Sequence, residues 1–177
     1  MLSIPALPQL DVEGTWQTTR ESWSRLTGTL RLRRRDTDVL VRVERCAAGR
    51  LRDAYPVAAH DVELVLESDQ RAQTVPALLR TLLEAVRVAD PRCRRVVYAV
   101  GEGDRVAQQH AEAVGFRFVV DVDLQDRQLS LLVHEPEWVT RADTDLAGRA
   151  LRCWPIAGRT PTPPSPTSWS TPDTPAP

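Results

Sequence analysis

The run from Val96 to Val100, Val-Val-Tyr-Ala-Val, is apolar throughout and constrains the fold more than any other part of the chain. A strand with one wet face alternates apolar and polar residues, whereas a strand covered on both faces does not. Such a strand needs a layer of structure on each side of its sheet. Upstream of it, Val75, Leu78, Leu79, Leu82, Leu83 and Val86 fall at i, i+3, i+4, i+7, i+8 and i+11. That broad apolar stripe predicts a helix from Thr74 to Ala89. Thr74 offers an N-cap, and Pro76 sits in the first turn, where its missing N–H does no harm. Asp90-Pro91 stops the helix, because the residue before a proline avoids helical dihedrals. Downstream, Asp104 caps a second helix through Val114, and Gly115 supplies its left-handed stop.

The other segments read mainly as strands. Thr29 to Arg33 and Val39 to Glu44 flank the turn Arg34-Arg35-Asp36-Thr37-Asp38 as a hairpin, and Val62 to Leu66 is a further strand. Phe116 to Leu124 and Gln128 to Val133 form a last hairpin across Gln125-Asp126-Arg127. Thr15 to Leu26 reads as a short helix, with Trp16 and Trp23 seven residues apart on one face. The succession of hairpin, strand, helix, strand, helix and hairpin predicts an α/β class, a mixed β-sheet with helices on both faces.

The 177 residues fit one domain with a real core. From Gly158 the chain reads GRTPTPPSPTSWSTPDTPAP, too poor in aliphatics to offset its own ordering entropy. The expectation is therefore a domain over residues 1–157 and a disordered Pro/Thr/Ser-rich tail over 158–177. The net charge of −1 creates no field for nucleic acid or for a membrane surface. The basic cluster Arg31, Arg33, Arg34 and Arg35 is followed at once by Asp36 and Asp38, which reads as a solvated hairpin. No apolar run approaches the roughly 20 residues that span a bilayer. The N-terminus lacks the pattern of a signal peptide. Cys46, Cys93 and Cys153 are too far apart for a metal knuckle and odd in number for a disulfide framework. A cytoplasmic protein with no nucleic-acid or membrane partner is expected.

Several segments then occur in a telling order. Val41-Arg42-Val43-Glu44 comes first, then Arg50-Leu51-Arg52-Asp53-Ala54-Tyr55, then Ala59-His60-Asp61 ahead of the strand Val62 to Leu66. The helix ending Ala89-Asp90-Pro91 follows, and last come Gly115-Phe116 and Val122-Asp123-Leu124. From about Val39 to Val133 this series resembles GNAT-type acyltransferases. In particular it looks like the branch that acylates hydroxylamine or lysine amines in siderophore biosynthesis. The resemblance implies a GNAT-like domain, acetyl-CoA or another acyl-CoA as co-substrate, and a small-molecule amine or hydroxylamine acceptor. It also implies an acid/base pair, a His on the strand before the CoA loop and an Asp at the helix stop. Asp90 matches the Asp, the His position falls on Glu63, and His60 lies three residues earlier. By resemblance, Glu63 or His60 is the base, and Asp90 orients the base or the substrate.

Three departures from the family pattern fall on working positions. The family's Gln/Arg-x-x-Gly-x-Gly/Ala loop, whose bare backbone N–H groups bind the CoA pyrophosphate, corresponds to Arg71, Ala72, Gln73, Thr74 and Val75, with no glycine. The His is replaced, as above. The Asn cap of the last helix and its thiolate-protonating Tyr correspond to Asp104 and Ala111. Two functions follow as expectations: an acyl-CoA-dependent N-acyltransferase, or a degenerate, non-catalytic GNAT-fold module that binds a partner.

Overall fold

A computed structural model of the chain describes residues 3–67, 74–125 and 127–139. Arg71, Ala72, Gln73, the turn residue Asp126 and the expected tail lie outside the described residues. Among the described residues the sheet has seven strands: β1 (Gln17–Trp23), β2 (Thr27–Arg34), β3 (Thr37–Arg45), β4 (Val62–Glu67), β5 (Val96–Gly101), β6 (Arg117–Leu124) and β7 (Arg127–His134), in the order β1-β2-β3-β4-β5-β7-β6. Of these strands only β4 and β5 pair in parallel, joined through the helix α1 (Val75–Ala89). The second helix, α2 (Arg105–Glu112), joins β5 to β6. This is the mixed α/β sheet that the alternation of periods predicts.

The apolar stripe of α1 makes the core. Leu78, Leu79, Leu82, Leu83, Ala85 and Val86 are all buried. They pack on Val41, Val43, Val62, Leu64, Tyr98 and Leu132, the residues of β3, β4, β5 and β7 that point to one face. The helices do not divide between the two faces as expected. Ala111 of α2 and Phe116 just after it join the same cluster as α1. The opposite face is covered by the turn-rich segment after β3, whose Cys46 and Leu51 pack with Val97, Val122, Leu131 and Val133. That cover is enough to explain the lack of alternation from Val96 to Val100. Its physical cause is the tight i→i+3 and i→i+4 turns from Arg45 to Tyr55, which satisfy their own backbone and present Leu51 inward.

The expected helix from Thr15 to Leu26 is instead β1, paired antiparallel with β2. A β-bulge between Arg20 and Ser22 explains the misleading spacing. One extra residue reverses the facing of everything beyond it, so two residues an odd number apart return to the same side. Trp16 is buried in the core and Trp23 packs against it. Trp23 lies flat on its cross-strand partner Gly28, where a Cβ would come within 2.3 Å of the ring, and its indole N–H reaches the carbonyl of Leu7. Gly28→Ala should therefore lower stability by about 1–3 kcal/mol, the range for overpacking. Urea titration checks this, and an unchanged midpoint would show that the indole is not held there.

The helix ends also differ in detail from expectation. Thr74 adopts helical dihedrals and makes no side-chain cap, so its hydroxyl cannot reach the first-turn N–H groups. Asp104 does cap α2, accepting from the Ala107 N–H at 3.0 Å. That helix stops at Glu112, short of Val114, and Gly115 follows in the left-handed region at φ +93°. The expected hairpin of β2 and β3 closes in two residues, Arg35 and Asp36. Its basic cluster is a solvated ion-pair face in which Arg31 meets Glu21 and Asp38, and Arg33 also meets Asp38.

Candidate active site

The sheet opens in its middle. β4 and β5 pair only from Val62 with Val96 to Leu64 with Tyr98, although β4 continues to Glu67 and β5 to Gly101. The carboxyl ends of two parallel strands thus separate, the place where α/β sheets admit ligands. α1 begins beyond this fork, and its first turn carries no acidic residue to neutralise the positive end of its dipole. Thr74 and Val75 stand at that end. Pro76 takes away one N–H there, and Val75 adds a β-branched side chain where close approach of a phosphate favours a bare backbone. Such a helix end accepts an anion, with fewer donors than a glycine loop offers.

On the face away from the helices, a cleft of about 1120 Å3 lies beside the fork. Its walls include Arg42 and Glu44 from β3, Arg50 and Asp53 from the turn segment, Val65 and Glu67 from β4, and Asp123 and Arg127 from the last hairpin. Strand alternation puts these groups together. Val41 and Val43 point to the core, so Arg42 and Glu44 point the other way. Glu63, fully buried, is the cross-strand partner of Glu44. Arg50 grips its Oε1 with Nε at 3.0 Å and Nη2 at 2.6 Å, while its Oε2 has no partner among the described residues. Arg42 Nε is likewise buried without a partner. Burial pushes the Glu44 carboxyl above the usual carboxylate range; Arg42 pulls it down, and the charge on Glu63 adds to the rise.

His60 and Asp90 do come together, at the other end of β4. His60 Nδ1 lies 3.0 Å from Asp90 Oδ2 and 3.2 Å from Oδ1. Arg45, fully buried, donates to the same Oδ2 at 2.7 Å, to the His60 carbonyl at 2.6 Å and to the Ala6 carbonyl at 2.9 Å. The backbone N–H of Arg92 completes the shell around Asp90. The 15 residues of α1, at 1.5 Å per residue, put this cluster roughly 20 Å from the start of the helix. The geometry therefore separates His60 and Asp90 from Thr74 and Val75, and leaves Glu63 in neither group as a free base. Sequence reading missed Arg45, Arg50 and Glu44. Arg45 carries the one available signal, a charge at the position where the Val39, Val41, Val43 alternation calls for a core residue.

Burial raises the Asp90 carboxyl, but the hydrogen bonds from His60 and Arg45 outweigh it, and the net shift is down from 3.8. A lowered folded-state value means that the unfolded chain binds the proton first. Stability from Asp90 is thus fully present above about pH 3.8 and is lost as pH falls through the lower folded value. Asp90→Asn should flatten the acid limb of the stability–pH curve below pH 4 relative to the parent chain. Parallel acid limbs in the two proteins would contradict this assignment.

No family profile matches the chain, and no curated protein matches it in sequence. Solved structures do match in shape. An uncharacterized protein from Bacillus halodurans is 16% identical with a TM-score of 0.55, covering 69% of this chain and 65% of that one. The aminoglycoside acetyltransferase AAC(6')-Ib, in complex with ribostamycin and coenzyme A, is 13% identical with a TM-score of 0.54, covering 67% of this chain and 69% of that one. The same enzyme with coenzyme A and kanamycin gives 13% and 0.54 over 66% of this chain and 71% of that one. The chain spans about two thirds of the length of these structures. At such identities the likeness speaks for architecture alone: the forked mixed sheet of this chain has the same fold as these structures.

Proposed function

We propose that the protein is an acyl-CoA-dependent N-acyltransferase acting on a small-molecule amine. The observation that carries this reading is the fork between β4 and β5, with the acid-free N-terminus of α1 beyond its opening and a charged cleft alongside. A thioester lying in the fork would direct its pyrophosphate to the helix end and its carbonyl towards the cleft. The fold neighbours support the same division, since their structures hold coenzyme A and aminoglycosides. Acid–base work in this reading belongs to the carboxylates of the cleft. His60 and Asp90 serve as a brace, because Asp90 is already saturated by Arg45, His60 and Arg92. Arg71, Ala72 and Gln73 would supply further contacts to the CoA. The narrower reading, a hydroxylamine or lysine-type acceptor as in siderophore biosynthesis, rests on the order of the sequence segments.

A non-catalytic module is the second reading, and one observation favours it. Ala111 stands where the family carries its thiolate-protonating Tyr, and it is fully buried in the core. The leaving thiolate must then take its proton from elsewhere. Release of CoA thiol from acetyl-CoA, followed with a thiol reagent across a panel of primary amines, separates the two. Amine-dependent release is the expected result, and release no faster than hydrolysis with every amine would leave the non-catalytic module.

A further inference from the structure

The segment from Gln9 to Glu13 alternates as a strand does. Leu10 is buried in the core and Val12 packs against it, while Gln9, Asp11 and Glu13 are exposed. Yet the segment belongs to no strand of the sheet, and no backbone hydrogen bond joins these residues to another described residue. Backbone N–H and C=O groups are obligatory hydrogen-bonding groups. A strand-like backbone without a neighbour is the half-ladder that an added peptide strand completes.

Beside this segment lies a groove of about 600 Å3, whose other wall is α1. That volume falls within the roughly 300–1,000 Å3 of ligand sites. Its depth comes from small side chains, since Thr81, Ala85 and Ala89 fall at i, i+4 and i+8 on one face of the helix. Val88 adds a large apolar side chain left 73% exposed to water. The charge is one-sided. Asp11, Glu13 and Glu84 bring three carboxylates into the groove against the single guanidinium of Arg80.

We propose that this groove docks an extended segment of a partner protein that carries lysine or arginine at alternate positions. Its backbone pairs with Gln9 to Glu13, and its cations meet Asp11 and Glu13. The side chains between the cations point the other way, onto Ala85, Val88 and Ala89. Alternation in the ligand thus matches a groove with one acidic and one apolar wall. An acidic segment is repelled. The inference is independent of the acyltransferase reading, because none of these residues lines the cleft beside the fork.

Calorimetric titration of the peptide acetyl-Lys-Val-Lys-Val-Lys-amide into the full chain tests the groove. Saturable binding of one peptide per chain is expected, and none of acetyl-Glu-Val-Glu-Val-Glu-amide. Asp11→Asn combined with Glu13→Gln should weaken the lysine peptide by roughly five- to thirtyfold, the worth of two exposed ion pairs. Both side chains are exposed, so the melting temperature should not change. Glu112→Gln, an exposed carboxylate on α2, should leave the affinity as it is. N-methylation at both valines, or instead at the last two lysines, blocks opposite edges of an extended peptide. One of these peptides should bind poorly and the other normally. No binding of the lysine peptide, equal affinity in the double variant, or equal binding of the two N-methylated peptides overturns the proposal. Displacement of the peptide by acetyl-CoA would place it at the fork and overturns the groove as well.

Discussion

Arg45→Met should cost about 3–5 kcal/mol of stability, the range for removing one partner of a buried ion pair. Arg45 is 1% exposed and Asp90 6%, so neither charge has water to fall back on. The guanidinium makes three hydrogen bonds, each to a different part of the chain. It meets the Asp90 carboxylate at the end of α1, the His60 carbonyl before β4 and the Ala6 carbonyl in the N-terminal segment. Methionine fills similar volume and offers no donor. Asp90 then keeps only His60 and the Arg92 N–H. Most of the cost is the stranded carboxylate, so adding Asp90→Asn should recover part of the loss. Urea titration of the single and double variants checks both statements. A loss below about 1 kcal/mol would mean that the cluster is solvated, as exposed pairs are.

Leu82→Ala is the second large effect, at about 2–5 kcal/mol. Leu82 is fully buried at the centre of the α1 stripe, within the cluster that joins this helix to β3, β4 and β5. The surrounding strands are fixed by their ladders and cannot collapse into the space, which favours the upper half of the range. A loss under about 1 kcal/mol in urea would show that the stripe does not face the sheet.

The same stripe was the most legible feature of the sequence, because a period of 3.6 sustained over three turns has one reading. The uninterrupted run from Val96 to Val100 was equally legible as a doubly covered strand. What covers it was not, since Cys46 and Leu51 reach that face through turns that have no period. β1 failed for a definable reason, the bulge that lets Trp16 and Trp23 share a side at helical spacing. At the site, Glu63, His60 and Asp90 as acid–base groups, and the helix end as the CoA contact, were expectations from the resemblance. Their grouping was hidden. The opposition of Glu44 to Glu63 is a matter of strand register, and the grip of Arg50 on Glu63 crosses 13 positions of chain. Sequence spacing contains neither.

Calorimetric titration of acetyl-CoA decides whether an acyl-CoA binds at the fork and the α1 N-terminus. Without loop glycines, and with Pro76 in the first turn, about two phosphate-facing N–H groups are lost or obstructed. At about 1.5–3 kcal/mol for each charge-assisted bond, affinity should fall by roughly two to four powers of ten from that of a glycine-loop enzyme. Binding is therefore expected to be weak, with Kd roughly high micromolar to millimolar, and weaker again in Arg71→Ala. Saturable heat in that range, reduced by Arg71→Ala, is the result this account requires. No heat at millimolar acetyl-CoA would contradict it.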